Sequence, residues 1–158
     1  MIQVTARVLR NLIEVRIDGE RWEAKPVGSE APAISKKIAA LFSTVYETYR
    51  SAEPGTVYST VSYAAKTDEI LIQVGEQKWR TRASKFGPLT FEFEGKSYEI
   101  REKLTGKFAI FHGETLVASG QLGFRSCEIH EHPASLTNFL GSLALGYLIR
   151  SLFWQMLR

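Results

Sequence analysis

The sequence predicts one domain, residues 1–158, of the mainly β, α+β class: an antiparallel β-barrel wrapped around a buried hydrophobic C-terminal helix. Three observations lead there. Leu136 to Leu157 is apolar on every side of a helix, so the segment must be enclosed all round. Nearly everything before it reads as short strands, marked off by turns roughly every eight to twelve residues, the spacing of a sandwich or a barrel. Two facing sheets already fill each other's core, whereas a curved sheet needs something apolar to wrap, and one helix meets that need.

Glu14 to Trp22 alternates apolar and charged residues about Asp18-Gly19, a pair suited to a two-residue hairpin turn because both central positions need positive φ. From Pro32 to Arg50 the period lengthens. Ile34, Ile38, Leu41, Val45 and Tyr49 recur at helical spacing, with Ser29 near a cap and Pro32 in the first turn, which predicts an amphipathic helix over 32–50. Its second half, Phe42 to Tyr49, is rich in β-branched and aromatic residues and suits a strand equally well. Pro54-Gly55 ends the segment.

Strands are expected at Val57 to Tyr63, Ile70 to Val74 and Lys78 to Arg82, separated by Lys66-Thr67-Asp68 and Gly75-Glu76. Leu89 to Glu94 alternates apolar and polar faces, and Gly95-Lys96 turns it into Tyr98 to Arg101. Phe108 to Phe111, Thr115 to Ser119 and Cys127 to His130 complete the series, divided by Gly106, Gly113 and Gly120 with Gly123. The final helix is also long enough to cross a hydrocarbon core, at about 1.5 Å per residue. Against that, Arg150 closes the uncharged run, and Asn138, Ser142, Ser151 and Gln155 are scattered around the helix. A tail anchor in lipid and a partner-binding helix are the alternatives to a central core helix.

The opening residues Met1 to Thr5 lack a basic segment followed by a long apolar stretch, and the lone Cys127 cannot form an internal disulfide; both lead us to expect a cytoplasmic protein, peripheral to a membrane if it binds one. Cys127 reads as a buried apolar filler. The net charge of +3 is unevenly placed: Lys78 to Lys107 carries eight Lys and Arg against four Glu. On a strand, Lys78, Arg80 and Arg82 share one face, Trp79 faces inward, and Lys85 extends the basic patch. Such a row suits the phosphates of anionic lipid, or those of nucleic acid, although a solvated or edge-protecting strand face has the same appearance. Glu128, His130 and His132 are the only cluster with metal-like chemistry, since alternate spacing puts them on one face and a His-x-His pair suits zinc. Pro133 follows at once, and surface histidines leading into the helix explain the same residues. No metal or other cofactor is expected.

The block Leu89 to Arg101, then Phe108-Ala-Ile-Phe, Glu114 to Gln121, Cys127-Glu-Ile-His, a proline and a hydrophobic C-terminal helix resembles the tubby C-terminal-like superfamily, which includes the tubby, phospholipid scramblase and LURP-one-related families. The resemblance covers roughly Lys78 to Arg158 and implies an antiparallel barrel around a central C-terminal helix. Tubby proteins bind phosphoinositides through basic residues on the barrel exterior, but no such residue aligns with a position here. Scramblases carry an acidic calcium-binding segment before the terminal helix, and Glu128 to Pro133 lacks its Asp-rich pattern. No nucleophile with a base, paired carboxylates or phosphate loop appears, so the basic strand, in keeping with the resemblance, leads us to expect a non-enzymatic module that binds anionic lipid or phosphoinositide at a membrane surface. A protein interaction or scaffold domain is the alternative, because fold alone does not establish function.

Overall fold

The computed structural model describes residues 1–7, 12–27, 44–83 and 88–156. Among the described residues, twelve antiparallel strands close into one barrel in which each strand pairs with its sequence neighbours. They are β1 (Ile2–Arg7), β2 (Leu12–Ile17), β3 (Glu20–Pro26), β4 (Thr44–Arg50), β5 (Val57–Ala64), β6 (Glu69–Val74), β7 (Gln77–Ala83), β8 (Leu89–Phe93), β9 (Lys96–Glu102), β10 (Lys107–His112), β11 (Thr115–Leu122) and β12 (Ser126–Glu131). The ring closes where β1 meets β12, with Ile2 opposite Ile129 and Val4 opposite Cys127. A short 3-10 turn, Ala134–Leu136, leads into α1 (Thr137–Met156), which fills the barrel. Eight strands leave room only for side chains, whereas twelve give the width a helix needs.

The alternation read from the sequence sets the inner face. Ile2 and Val4, Ile13, Val15 and Ile17, Val61 and Tyr63, Ile70 and Ile72, and Leu89 and Phe91 are all buried against Leu140, Leu143, Leu145, Leu148 and Ile149 of α1. Every residue from Phe139 to Ile149 is buried, so the helix that is long and apolar enough for a bilayer is enclosed by the sheet. Asp18 and Gly19 both take positive φ, 44° and 93°, as a type I′ hairpin requires. The β8–β9 turn sits at Glu94-Gly95, φ 50° and 77°, one residue earlier than Gly95-Lys96, because Phe93 pairs with Lys96.

One expectation is corrected. Residues 44–50, assigned to the end of an amphipathic helix, form β4, hydrogen-bonded to β3 (Ala24 opposite Thr48) and β5 (Tyr46 opposite Val61). The β-branched and aromatic side chains of Thr44, Val45, Tyr46, Thr48 and Tyr49 favour that conformation, and a ring whose β3 and β5 edges both need a partner selects it. The rest of the expected helix, 32–43, lies outside the described residues.

Antiparallel alternation sends the connections after odd-numbered strands to the end where α1 leaves the barrel, and those after even-numbered strands to the end where α1 starts. At the helix-exit end, Gln155 Nε2 donates to the Phe124 carbonyl oxygen in the β11–β12 connection at 2.8 Å. The helix is off-centre. Its backbone lies close to β1, β2, β5, β6 and β12, where a Cβ on Gly141 would stand 2.5 Å from Ile17 Cδ1 and one on Gly146 would stand 2.3 Å from Ile70 Cγ2. Aromatic rings fill the far side: Phe139 of α1 meets Trp79, Phe91 and Phe93 at centroid distances of 5.4, 5.4 and 4.5 Å, and Tyr147 meets Phe108 at 5.1 Å.

Candidate functional site

β7 presents Lys78, Arg80 and Arg82 to solvent, as strand alternation requires. Between them Trp79 turns inward onto Phe93 and Phe139, and Thr81 is buried with its hydroxyl accepting from the Ile70 backbone N–H at 3.0 Å. The inward residues anchor the strand, so the three cations stand on a rigid support. They line a cleft of about 480 Å³ with Thr90, Glu92, Glu94 and Ser97 of the β8–β9 hairpin. Glu69 of β6 lies on the other flank, its Oε2 3.7 Å from Arg80 Nη1. The middle of the row is therefore partly neutralised, while Lys78 and Arg82 have no carboxylate within 4.0 Å among the described residues. Lys85, expected to extend the patch, lies outside the described residues.

Glu128, His130 and His132 are not brought together. Glu128 and His130 are neighbours on the outer face of β12, with His130 Nε2 3.9 Å from Glu128 Oε2, and Gln3 Nε2 donates to Glu128 Oε1 at 3.4 Å. β12 ends at Glu131, so the alternation stops before His132, whose Nδ1 pairs with Thr137 Oγ1 at 3.1 Å in the first turn of α1. Among the described residues no group of three or more His, Cys, Asp and Glu side chains is placed to hold a metal ion. Cys127 is buried, and burial pushes its thiol up out of the reactive range.

A polar network that periodicity does not reveal lies at the helix-exit end. Arg150 near the end of α1 donates from Nε and Nη2 to the two oxygens of Asp68, at 2.8 and 3.1 Å, in the β5–β6 connection. Tyr63 also donates to Asp68 Oδ1, and Trp154 Nε1 donates to the Tyr63 hydroxyl at 2.9 Å. Burial alone would raise the Asp68 carboxyl, but the bonds from Arg150 and Tyr63 outweigh it and hold the group below the usual carboxylate range. Burial, then the Asp68 charge, pushes the Tyr63 phenol up to about 12. Beside this clamp a cavity of about 600 Å³ opens between α1 and β7–β9, lined by Pro88, Leu89, Ile100, Glu102, Tyr147 and Arg150 among others. The Tyr147 hydroxyl is buried there without a hydrogen-bond partner among the described residues.

No protein-family model, characterised protein or solved structure matches the chain. The signal for the Asp68–Arg150 clamp was present in the sequence as two anomalies, a lone Arg in an apolar helix and an Asp in a turn, but 82 positions separate them. Only the closed barrel shows that they meet.

Proposed function

We propose that the protein is a non-enzymatic, tubby-like module that binds anionic phospholipid at a membrane surface. The observation that carries the reading is the outward row on β7, in which Lys78 and Arg82 are exposed without a carboxylate partner among the described residues. Each cation near a charged membrane surface contributes about 1 kcal/mol, so one row supports weak, reversible binding. Cys127 is sealed in the core, and Asp68 is committed to Arg150 and Tyr63. Sedimentation with phosphatidylserine-containing vesicles tests the reading. Binding is expected to be absent with pure phosphatidylcholine and to fade as salt rises past about 0.15 M, where the screening length falls to about 8 Å. Arg80→Glu with Arg82→Glu should lower it at least about tenfold without altering the melting temperature by more than a few degrees. Equal binding to neutral vesicles, or none to either, overturns the proposal in favour of protein docking.

A further inference from the structure

The barrel is electrically polar along its axis. All five hairpin turns at the helix-start end carry a carboxylate and neither Lys nor Arg: Asp18 between β2 and β3, Glu53 between β4 and β5, Glu76 between β6 and β7, Glu94 between β8 and β9, and Glu114 between β10 and β11. The Met1 ammonium takes up the Asp18 charge at 2.6 Å, which leaves four carboxylates without an ion pair among the described residues. Lys78 and Lys96 begin the strands after two of these turns and offset them in part. At the helix-exit end the described connections carry the opposite sign. Lys66, Lys103 and Arg125 stand there with Lys107 at the start of β10, all exposed and none in an ion pair among the described residues; the exposed Glu102 at the end of β9 offsets one of them, and the Asp68 charge is taken up by Arg150. Both ends expose apolar side chains, Met1, Val57 and Leu116 at the helix-start end, but of the described residues only those at the helix-exit end include aromatic rings and stand among unpaired cations. Leu104 is fully exposed, and Phe124 and Trp154 are 69% and 43% exposed.

We infer that this basic, apolar-tipped end is the face that meets the membrane, with the barrel axis standing on the lipid surface and Leu104 and Phe124 entering the headgroup region. The inference rests on the anionic-lipid reading and specifies how the molecule sits. Two features argue for this occupant. A cation ring around protruding apolar side chains matches the two layers of an anionic bilayer surface, charge outside and hydrocarbon beneath. The carboxylates at the opposite end are repelled by that surface, so the molecule's own charge distribution turns the helix-exit end toward it. Neighbouring elements also hold the end together. The Leu122 N–H donates to the Gly106 carbonyl oxygen at 2.8 Å, Gln121 Nε2 to the Thr105 carbonyl oxygen at 3.0 Å and Gln155 Nε2 to the Phe124 carbonyl oxygen at 2.8 Å, tying the Leu104 and Phe124 turns to β11 and α1. The β7 row runs along the wall from Lys78, near the helix-start end, to Arg82, near the helix-exit end. On an upright barrel Arg82 reaches the phosphates, and Lys78 stands back by about 13 Å at about 3.3 Å per residue.

The test places an environment-sensitive nitrobenzoxadiazole label on Leu104→Cys and, separately, on Leu116→Cys, which is exposed at the start of β11 on the opposite end. Phosphatidylserine-containing vesicles, with and without brominated acyl chains, are then added. The label at position 104 should shift to the blue and be quenched by the brominated chains, while that at 116 should not respond. Lys103→Glu with Lys107→Glu should weaken vesicle binding at least about tenfold, and Lys96→Glu, at the exposed start of β9 on the opposite end, by less than about twofold. Vesicle binding with a response at 116, or at neither position, overturns the orientation and leaves the lipid reading standing. Absence of vesicle binding in the unmodified protein overturns both. A response at 104 to single-stranded DNA matching that to vesicles would give the face to soluble polyanions and overturn it as well.

Discussion

The two sides of the central helix solve the same packing problem differently. Toward β2 and β6, Gly141 and Gly146 remove the side chain altogether, and the helix backbone presses onto Ile17 and Ile70. Toward β7–β10 the gap is wide and is bridged by Trp79, Phe91, Phe93, Phe108, Phe139 and Tyr147. The close side is fixed by backbone approach, which has no slack. The aromatic side is fixed by rings that can tilt, and it is there that the cavity and the unpartnered Tyr147 hydroxyl are found.

The sharpest way to break this comparison is a matched pair of substitutions. Gly146→Leu should destabilise by about 3 kcal/mol or more and remove a single cooperative melting transition, because even its Cβ would overlap Ile70 and nothing nearby can yield. Phe139→Leu, on the aromatic side, should cost about 1 to 2 kcal/mol and leave the transition cooperative, since neighbouring rings can close part of the gap. Calorimetric melting temperatures within a few degrees of each other would show that the difference in approach has no energetic content.

A smaller effect is expected where the close side is clamped. Asp68→Asn should cost about 2 kcal/mol at neutral pH by weakening the charged bond to Arg150. The folded-state carboxyl titrates below its ordinary value, so its contribution is fully present above the unfolded value of about 3.9 and is lost as pH falls through the lower folded one. Melting temperatures followed against pH should therefore converge for the two proteins in strong acid and separate above about pH 4. Parallel curves down to the lowest pH would assign the acid sensitivity to other groups.

The smallest effect has the opposite sign. Tyr147→Phe removes a buried hydroxyl that has no partner among the described residues and should stabilise the protein by about 1 kcal/mol. A loss of stability on chemical denaturation would mean that the hydroxyl is satisfied from within the cavity.

Much of the barrel could be read directly from the residues. Asp18-Gly19 carries its own turn chemistry, and Leu89 to Phe93 alternates without interruption, so local rules suffice. Val45 and Tyr49 fit a helical period and a half-buried strand alike, and what decides for β4 is the pair of open edges beside it, which no local pattern contains. The same boundary runs through the site. Alternation was enough to put Lys78, Arg80 and Arg82 on one face, but their neighbours Glu69 and Glu92 come from other strands and Glu94 from a turn, and they become visible only with the register. The axial charge polarity is spread one residue per turn over most of the chain, and it emerges once the turns are sorted by end.

Ring closure has a consequence for how the protein comes into being. Gln3 and Glu128, 125 positions apart, lie side by side across the β1–β12 seam, and the helix that fills the interior follows the last strand in the chain. Chain order therefore delivers the wall before its contents. On the ribosome, successive hairpins must emerge with their Ile, Val and Phe faces bare, and no earlier segment can shield them in the native manner. Such a nascent chain is long exposed to self-association. The exposure ends only when α1 is released and the first strand finds the last.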